Sequence, residues 1–527
     1  MLPAQADGAG PPAAKPTPSS DGTRSAHRTP VDRTVVARIL DRFAFGPAKG
    51  QVERVHEAGV DDWFERQLSL RSEPVDATYK DVTLPPAKLV AAMAAMSMKV
   101  ESGADESVPI SVATKKKKKK PARKRVKINF RRMADTLIMA QLTRHVRSEH
   151  QVAEVMVDFW SNHFNVFARK GNVKLYAGHY IEHAIRPHAL DKFEDLVIAT
   201  AMHPAMLIYL DNAKSKAPLM GRALERAQRR NAARAAKNKK PRRLRDLNEN
   251  YARELMELHT VGMKHSQADV VAVARTLTGW GVKPIEDGGG FIFRPKAHDK
   301  GIKVVLGRTF KAGFEPGLEL LRFLARHPAT ATHLGQKLCQ RFVSDTPPAT
   351  CIEAVASAHQ RTQGDIPAML RAVYAQVRSG AGVTPKLKTP LEFLVSGLRV
   401  LGAQPSHRKL ARVLKRLGQP TLMMPVPTGY AEVATEWNGS TSMLRRMDVA
   451  AALGRGRMKG ATIDLDERLG KRPKDIVQVV NEEILQGRGR KPTLDAIREQ
   501  VKKIQRPQQA RRVAVTLALG SPEFMSQ

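Results

Sequence analysis

The chain has 527 residues and carries 88 lysines and arginines against 51 aspartates and glutamates, a formal net charge of +37. Its 42% hydrophobic content is enough for a substantial core, and its low aromatic share of 5% favours helices over sheets. The two cysteines, Cys339 and Cys351, exclude a disulfide framework and a four-cysteine metal site. The two cysteines can still form one disulfide bridge or remain as two reduced thiols, and we expect reduced thiols in the core.

The first 127 residues predict two disordered segments that flank a group of helices. Residues 1–33 have a disordered composition without an apolar h-region, so we expect no signal peptide there. Apolar residues at helical spacing predict helices in residues 34–100 that pack on the main body. Residues 101–127 predict a basic disordered linker, because their lysine run is a block of like charges. No stretch of the chain reaches the roughly 18 apolar residues of a membrane span.

Residues 128–527 predict one main helical domain that contains a basic insert at residues 213–245. A typical helix signal is Ser266 with Asp269 three residues on, which predicts a capped helix over residues 267–278. The strongest strand signals are residues 291–293 and 303–306, which predict one hairpin. The expected fold is therefore mainly α, a large multi-helix body with one small β-hairpin and disordered basic inserts.

More than half of the excess positive charge lies in two short segments. Residues 115–127 hold ten basic residues and no acidic one, and residues 222–245 hold eleven basic residues against Glu225. Such tracts are either solvated loops or weak, sequence-independent binding sites for nucleic acid or an anionic surface. No zinc finger, RNA-binding aromatic motif or phosphate loop accompanies them, so specific recognition is not predicted.

Residues 247–262 predict an amphipathic helix, capped by Asp246, whose polar face holds reactive groups. Asn250, Arg253, Glu254 and Glu257 gather on this face. Two carboxylates one turn apart suit metal ligation or acid–base chemistry, whereas the alternative is a solvated face of Glu–Arg pairs.

Histidines give a second, independent hint of metal chemistry. His179 and His183 belong to a His-x-x-Glu-His pattern, which on a helix resembles that of inverted zinc peptidases. Glu254 or Glu257 then lies at a suitable distance along the chain for a further ligand of a divalent metal. The alternative is that both histidines are ordinary residues of a polar helix face.

Two further residues have both a functional and a structural interpretation. His163 ends a helix in an aromatic cluster, where it is either a site residue or a hydrogen-bonded core histidine. Asp211 follows an apolar run, where it is either an ordinary turn residue or a neighbour of the helix at 247–262, if the basic insert loops out.

Several short sequence segments of the chain, in the same order as in the family, resemble the bacterial domain-of-unknown-function family 1800 (DUF1800). They occupy residues 45–47, 62–68, 158–164, 203–212, 248–262, 275–280, 388–393 and 427–437. Tyr430 stands where the family usually has tryptophan. The resemblance implies a mostly exported or periplasmic bacterial family, often encoded beside a sulfatase-like partner, with no established reaction. The absence of a visible signal peptide departs from that pattern.

Three hypotheses about function follow. The first is an accessory or binding protein that acts with a partner, and the second is a metal-dependent hydrolase that uses the acidic face of the helix at 248–262. The third is non-specific binding of polyanions through residues 115–127 and 222–245. For any pocket, we expect the polar face of the 248–262 helix to line it, with His163, Asp211 and residues 278–280 opposite.

Overall fold

The computed structural model of the protein describes residues 31–70, 79–80, 83–97, 107–111, 125–241, 246–471 and 475–527. The predicted disordered N-terminus lies outside these ranges, apart from its last three residues. Helices dominate the described residues, which confirms the predicted fold class. The first helices are α1 (Arg33–Phe43), α2 (Gln51–Ala58), α3 (Val60–Ser69) and α4 (Pro86–Ser97).

The middle of the chain folds into eight further helices within the described ranges. They are α5 (Phe130–Arg147), α6 (Gln151–His163), α7 (Ala177–Tyr180), α8 (Phe193–Met202), α9 (Pro204–Tyr209), α10 (Gly221–Ala235), α11 (Asn250–Glu254) and α12 (Gln267–Thr276). Helix α12 has the predicted capping box, in which Ser266 and Asp269 each bind the other's backbone N–H.

The remainder is again helical. Its helices are α13 (Phe314–Arg326), α14 (Pro328–Phe342), α15 (Ala349–Thr362), α16 (Ile366–Ser379), α17 (Pro390–Val400), α18 (Lys409–Leu417), α19 (Ser440–Gly454), α20 (Leu465–Leu469), α21 (Ile476–Glu483), α22 (Lys491–Lys502), α23 (Pro507–Leu519) and α24 (Pro522–Met525). Pro at the first turn of several of these helices costs nothing, because the N–H that it lacks has no intrahelical partner there.

One cluster of buried apolar side chains extends from α1 to α24. Phe43 of α1 stacks on Phe342 of α14 with ring centroids 4.7 Å apart. The buried Arg399 of α17 donates to the carbonyls of Gly46 and Val146, both at 2.9 Å. A buried guanidinium is tolerated only when its donors are satisfied, so Arg399 joins three distant parts of the chain.

The single hairpin predicted from residues 291–293 and 303–306 is wrong in its pairing. Strand β3 (Trp280–Val282) pairs with β4 (Phe291–Phe293), and β5 (Lys303–Val305) pairs with β6 (Arg308–Phe310), both antiparallel. Leu306 and Gly307 both have positive φ, of 47° and 78°, and form the two-residue turn of the second hairpin. Two further antiparallel pairs form, β1 (Ser107–Ser111) with β2 (Arg125–Asn129) and β7 (Gln404–Pro405) with β8 (Ala461–Thr462).

The expected reduced thiols are also a wrong prediction, because Cys339 and Cys351 form a disulfide. Cys339 lies on α14 and Cys351 at the start of α15, with their Cα atoms 6.2 Å apart. The two helices pack closely at Gly335, where an added Cβ would lie 2.6 Å from the carbonyl oxygen of Ile352. This close approach brings the two cysteines within bonding distance.

Parts of the two basic segments have regular secondary structure in the described ranges. Strand β1 lies within the predicted basic linker at residues 101–127, and strand β2 begins within this linker and ends at Asn129. Residues 112–124 lie outside the described residues. Helix α10 occupies residues 221–235 of the second segment and buries none of its residues. No helix in the described ranges combines the length and apolarity needed to cross a membrane.

Candidate functional site

The helix predicted for residues 247–262 is shorter and less regular than expected. Helix α11 begins at Asn250, with Glu249 rather than Asp246 at its N-cap, and after Glu254 the chain forms a π-helical turn, Leu255–His259. A second π-helical turn, Ile181–Ile185, contains His183. Single π-helical turns often occur at functional sites, and both turns here coincide with segments chosen from the sequence.

The polar side chains of this helix form a connected surface. Arg253 donates to Glu257 at 3.3 Å and to Gln267 of α12 at 2.7 Å. Glu257 also lies 3.5 Å from Nε2 of His265. The Arg253 side chain is 40% exposed and that of Glu257 is 22% exposed. The face is therefore half-buried and linked to its neighbours, which differs from a fully solvated face.

Glu254 lies between Glu257 and the C-terminal end of α9. Burial raises the pKa of Glu254, and the neighbouring Glu257 raises it further, whereas Arg253 lowers it. Glu254 in turn contributes to the raised pKa of Tyr209, although burial is the main cause there. A half-buried carboxyl with a raised pKa is a recognised mark of a functional residue, although structural networks also produce one.

The residues after α9 contact this helix, as expected if the basic insert loops out. The Asn250 side chain donates to the Leu210 carbonyl at 3.4 Å, and the Asn212 side chain donates to the Leu277 carbonyl at 3.3 Å. Asp211 itself binds Lys170 at 2.8 Å and Lys214 at 2.6 Å. Burial raises the pKa of Asp211, but the two lysines outweigh burial and lower it. Asp211 therefore acts as a paired turn residue in this structure.

His179 and His183 come together, and His203 joins them. The ring centroids of His179 and His183 are 4.1 Å apart, and Nδ1 of His179 lies 2.9 Å from Nε2 of His203. Nδ1 of His203 accepts the Ala205 backbone N–H, so in the neutral ring Nε2 carries the proton and donates to His179. His203 is buried and His179 is partly buried, and burial lowers the pKa of His179 to about 4.

The residues proposed as metal ligands do not assemble into one site. Within the described ranges, no group of three or more histidine, cysteine, aspartate or glutamate side chains has an arrangement that could hold a metal ion. His203 uses both ring nitrogens in the contacts above, which removes it as a ligand in this conformation. Glu257 lies near His265 and not near the histidine pair.

His163 joins the helix at 250–259 to a cavity on the other side of α6. Its Nε2 donates to the carbonyl of His259 at 3.1 Å, and Nε2 of His333 donates to the carbonyl of Leu258 at 3.0 Å. Both carbonyls belong to the last turn of the helical segment that ends at His259. Carbonyl groups in a last helical turn have no intrahelical hydrogen-bond partner. Burial, with smaller contributions from His259, Lys337 and His333, holds the pKa of His163 well below its usual range, so the ring is neutral at pH 7.

A half-open cavity of about 300 Å³ lies between the end of α6, the middle of α14 and the segment 428–433. His163 is the only residue proposed from the sequence that lines it. Sequence reasoning missed the other polar side chains of the lining, which are Asn162, Lys337, Gln340, Thr428, Tyr430 and Glu432. Phe159 supplies an aromatic wall.

The segment 428–433 is held in place by side chains that bind its backbone. Asn162 accepts the Tyr430 N–H at 2.7 Å and donates to the Tyr430 carbonyl at 2.8 Å. Lys386 donates to the Glu432 carbonyl at 2.8 Å. Gly429 has a φ of 73°, and a Cβ there would lie 2.5 Å from two oxygens of Asn162. The cavity wall is therefore preorganised, and glycine is required at residue 429.

Charged groups in and around the cavity have pKa values shifted towards neutrality. Burial lowers the pKa of Lys337, which makes no hydrogen bond or ion pair with any described residue. Burial raises the pKa of Glu432 against the attraction of Arg341, whose Nε lies 3.7 Å away. Arg341 is itself paired with Glu392 inside the core. Lys337 and Glu432 therefore remain available to a ligand.

A smaller cavity of about 20 Å³, large enough for one water molecule, adjoins the first one. Asn162 and Tyr430 line both cavities, and Asp158 lines the smaller one. Burial raises the pKa of Asp158, although His145 and Arg341 lower it. Asp158 thus adds a second carboxyl with a raised pKa beside the cavity.

No local pattern in the sequence predicts Lys337 as a site residue, and Glu432 is marked only by its place in the family segment at residues 427–437. Asn162 and Tyr430 do belong to phrases that carry the family resemblance, at residues 158–164 and 427–437, and this is the signal by which they could have been found. Lys337 lies in the helical run of α14, where lysine is common.

Comparison with known proteins gives one match. The model of the family described as "Protein of unknown function (DUF1800)" matches residues 38–526, nearly the whole chain. No curated protein and no solved structure matches the chain.

Proposed function

The chain belongs to the DUF1800 family, and on that premise we propose that it is a binding protein that holds a small polar ligand in the cavity beside His163. The observation that carries the proposal is that a half-buried lysine, Lys337, and a half-buried carboxyl, Glu432, line the same cavity of about 300 Å³. Lys337 has no hydrogen-bond partner among the described residues, and Glu432 has only long contacts, 3.7 Å from Arg341 and 3.5 Å from Asn162, so burying these groups costs free energy. A ligand that pairs with both groups recovers that cost.

The lining defines the chemistry of the ligand. Lys337 requires an anionic group or a strong acceptor, and Glu432 requires a hydroxyl or amine donor. Phe159 and Tyr430 offer apolar faces beside these groups. A small hydroxy acid or amino acid meets all three requirements, because it carries a carboxylate, a donor and a short apolar body.

The experiment is isothermal titration of the full chain with a panel of small hydroxy acids and amino acids. We expect one subset to bind, with affinity reduced at least tenfold in Lys337→Met and Glu432→Gln. Lys300→Met, which removes an exposed lysine, is the matched control and should bind normally. Equal binding by Lys337→Met and the wild type would overturn the assignment.

We further propose that the protein acts as an accessory to a sulfatase-like partner and is exported. The partner is supported by the family resemblance alone. Export has a second support, because disulfides such as Cys339–Cys351 persist mainly in oxidising compartments. Co-expression with a sulfatase-like protein of the kind that the family is often encoded beside should give a complex that survives gel filtration, and separate elution of the two would refute the partnership.

The second candidate function is a metal-dependent hydrolase that uses Glu254 and Glu257. It is favoured by the raised pKa of Glu254 and by the 3.5 Å approach of His265 to Glu257. Metal analysis of the purified protein tests it. The enzyme would be favoured by stoichiometric zinc or manganese that disappears in Glu254→Ala. The metal should be retained in the control Glu499→Ala, which changes an exposed residue. Folded protein that binds neither metal would exclude this function.

The third candidate, polyanion binding, is favoured by helix α10. Its residues include Arg222, Arg226, Arg229, Arg230 and Arg234, and none of them is buried. Binding through such a helix should weaken steeply with salt. Deletion of residues 115–127 and 222–245 should remove binding to duplex DNA and to anionic vesicles, and unchanged affinity in the deletion variant would exclude this role.

A further inference from the structure

A further cavity, of about 290 Å³, shares no lining residue with the two cavities described above. It is formed by the β5–β6 hairpin, the last turns of α13 and the first residue of α14. Three arginines line it, with Glu319 as the single acidic residue of the lining. We call it the arginine cleft, and the arginines are Arg308, Arg322 and Arg326.

Arg308 is exposed, and its guanidinium stacks on aromatic rings. Its guanidinium lies over the rings of Phe310 and Phe323, with its central carbon 5.4 and 5.3 Å from their centroids. Stacking of this kind uses the face of the guanidinium and leaves its in-plane N–H donors available. No carboxylate in the described part of the chain pairs with Arg308.

The turn that carries Arg308 is fixed by an unusual backbone conformation. Leu306 has a φ of 47°, which is strained for a residue with a branched side chain. The Asp269 carboxylate of the α12 capping box compensates by accepting the Leu306 N–H at 2.7 Å. The position of Arg308 two residues later is therefore set by the helix behind the hairpin.

The opposite wall places like charges on one helix face. Arg322 and Arg326 are one turn apart on α13, a spacing at which like charges repel. Arg326 is neutralised by Glu194, which accepts from its NH2 at 2.7 Å. Arg322 has no such partner among the described residues. A bound anion would offset the positive charge that Arg308 and Arg322 bring to the cleft.

His327 adds a neutral donor at the edge of the cleft. Its Nδ1 accepts the Ala329 N–H at 3.1 Å at the start of α14, so in the neutral ring Nε2 carries the proton. Burial lowers the pKa of His327, which favours this neutral form. Nε2–H thus remains available as a donor beside the arginines.

We propose that the arginine cleft binds the phosphate or sulfate group of a small monoester. Arg308 supplies a planar pair of donors to the oxyanion, Arg322 and His327 complete its hydrogen bonds, and the edge of Phe323 lies beside the organic part. Guanidinium groups bind such tetrahedral oxyanions in a bidentate manner. The volume of the cleft suits one such group with a ring-sized substituent. This site is separate from the cavity beside His163 and does not depend on its ligand.

The test is isothermal titration of the full chain with phenyl phosphate and phenyl sulfate, and with chloride at matched ionic strength. We expect at least one of the esters to bind at a single site, and the difference between the two esters identifies the preferred oxyanion. Arg308→Gln and Arg322→Gln should each weaken binding at least tenfold. Arg308→Lys should also weaken it severalfold, because lysine keeps the charge but loses the bidentate geometry.

The matched control is Arg416→Gln, which removes an exposed arginine of α18. It should leave the affinity within twofold of the wild type. Equal loss in Arg416→Gln, or equal heats from chloride, would show a diffuse effect of net charge and overturn the proposal. Unchanged binding in the Arg308→Gln/Arg322→Gln double variant, shown by circular dichroism to be folded, would overturn it as well.

Discussion

His163 donates a hydrogen bond from Nε2 to the carbonyl oxygen of His259, at 3.1 Å. This bond joins the end of α6, which lines the cavity, to the last turn of the segment that carries Glu254 and Glu257. The cavity and the segment with Glu254 and Glu257, which are the two candidate functional regions, are therefore connected through one neutral histidine. A change in the protonation of His163 would disturb both of them.

The buried histidines predict a loss of stability in mild acid. In an unfolded chain histidine has a pKa of about 6.5, whereas burial, together with His333 and Lys337, lowers the pKa of His259 to about 3 and burial lowers that of His163 too. Between these values the unfolded chain binds protons that the folded chain does not. The free energy of unfolding should therefore fall as the pH decreases below 6.5, by about 1.4 kcal/mol per pH unit for each such histidine.

Urea unfolding at pH 7.5, 6.0 and 5.0 measures this slope. His163→Gln keeps a donor for the His259 carbonyl but cannot titrate, so its slope should be smaller by about one histidine's share, ~1.4 kcal/mol per pH unit. His407→Gln, at an exposed residue, should leave the slope unchanged. An identical slope in His163→Gln and the wild type would contradict a buried neutral His163.

Gly429→Ala should destabilise the protein and abolish ligand binding in the cavity beside His163. The new Cβ would lie 2.5 Å from the carbonyl and side-chain oxygens of Asn162, and the backbone φ of 73° disfavours alanine. We expect a loss of about 2–3 kcal/mol in urea unfolding. Gly402→Ala is the control, since its φ of 63° is similar but nothing lies near the new methyl group. It should cost only about 1 kcal/mol, and equal costs would mean that the contact with Asn162 is unimportant.

The Cys339–Cys351 disulfide should stabilise the fold by about 3 kcal/mol, because it closes a short loop, with a sequence separation of 12, between two packed helices. The double variant Cys339→Ala/Cys351→Ala should show this loss in urea unfolding. Thiol titration of the denatured protein, isolated without reductant, should detect no free thiol. Two titratable thiols would restore the expectation of reduced cysteines.

The buried pair of Arg341 and Glu392 should be far more sensitive to mutation than an exposed pair. Burial raises the pKa of Glu392, but Arg341 and the Thr389 N–H outweigh burial and lower it to about 2. Glu392→Gln should cost about 3 kcal/mol or more, because Arg341 then keeps a buried charge without its carboxylate. Glu499→Gln breaks an exposed pair with Lys503 and should cost less than about 0.5 kcal/mol. Similar costs in urea unfolding would contradict this.

The contribution of Glu392 should also appear in strong acid. Its folded pKa of about 2 lies below the usual 4.5, so its stabilisation is present above pH 4.5 and is lost as the pH falls towards 2. The wild type should therefore lose more stability between pH 4.5 and 2.5 than Glu392→Gln does. Equal losses would show that another carboxyl dominates acid unfolding.

Local patterns were enough to predict the helical class, the capping box of Ser266 and Asp269, and the family. They failed where the local backbone conformation or strand pairing depends on residues distant in the sequence. The 247–262 segment is periodic enough to predict one helix, yet its π-helical turn ends on carbonyls that His163 and His333 satisfy. The strand at 303–305 pairs with its immediate neighbour, since Asp269 supports the turn at Leu306.

The sequence by itself determined that the fold is mainly helical, because helix periodicity and caps act over three or four residues. Only the tertiary structure decided the disulfide and the cavity. Cys339 meets Cys351 because α14 and α15 pack closely at Gly335. Lys337 and Glu432 share a cavity because Asn162 and Lys386 fix the backbone of residues 430–432. Such contacts join residues tens to hundreds of positions apart, and their formation depends on the free energy of the whole packed core.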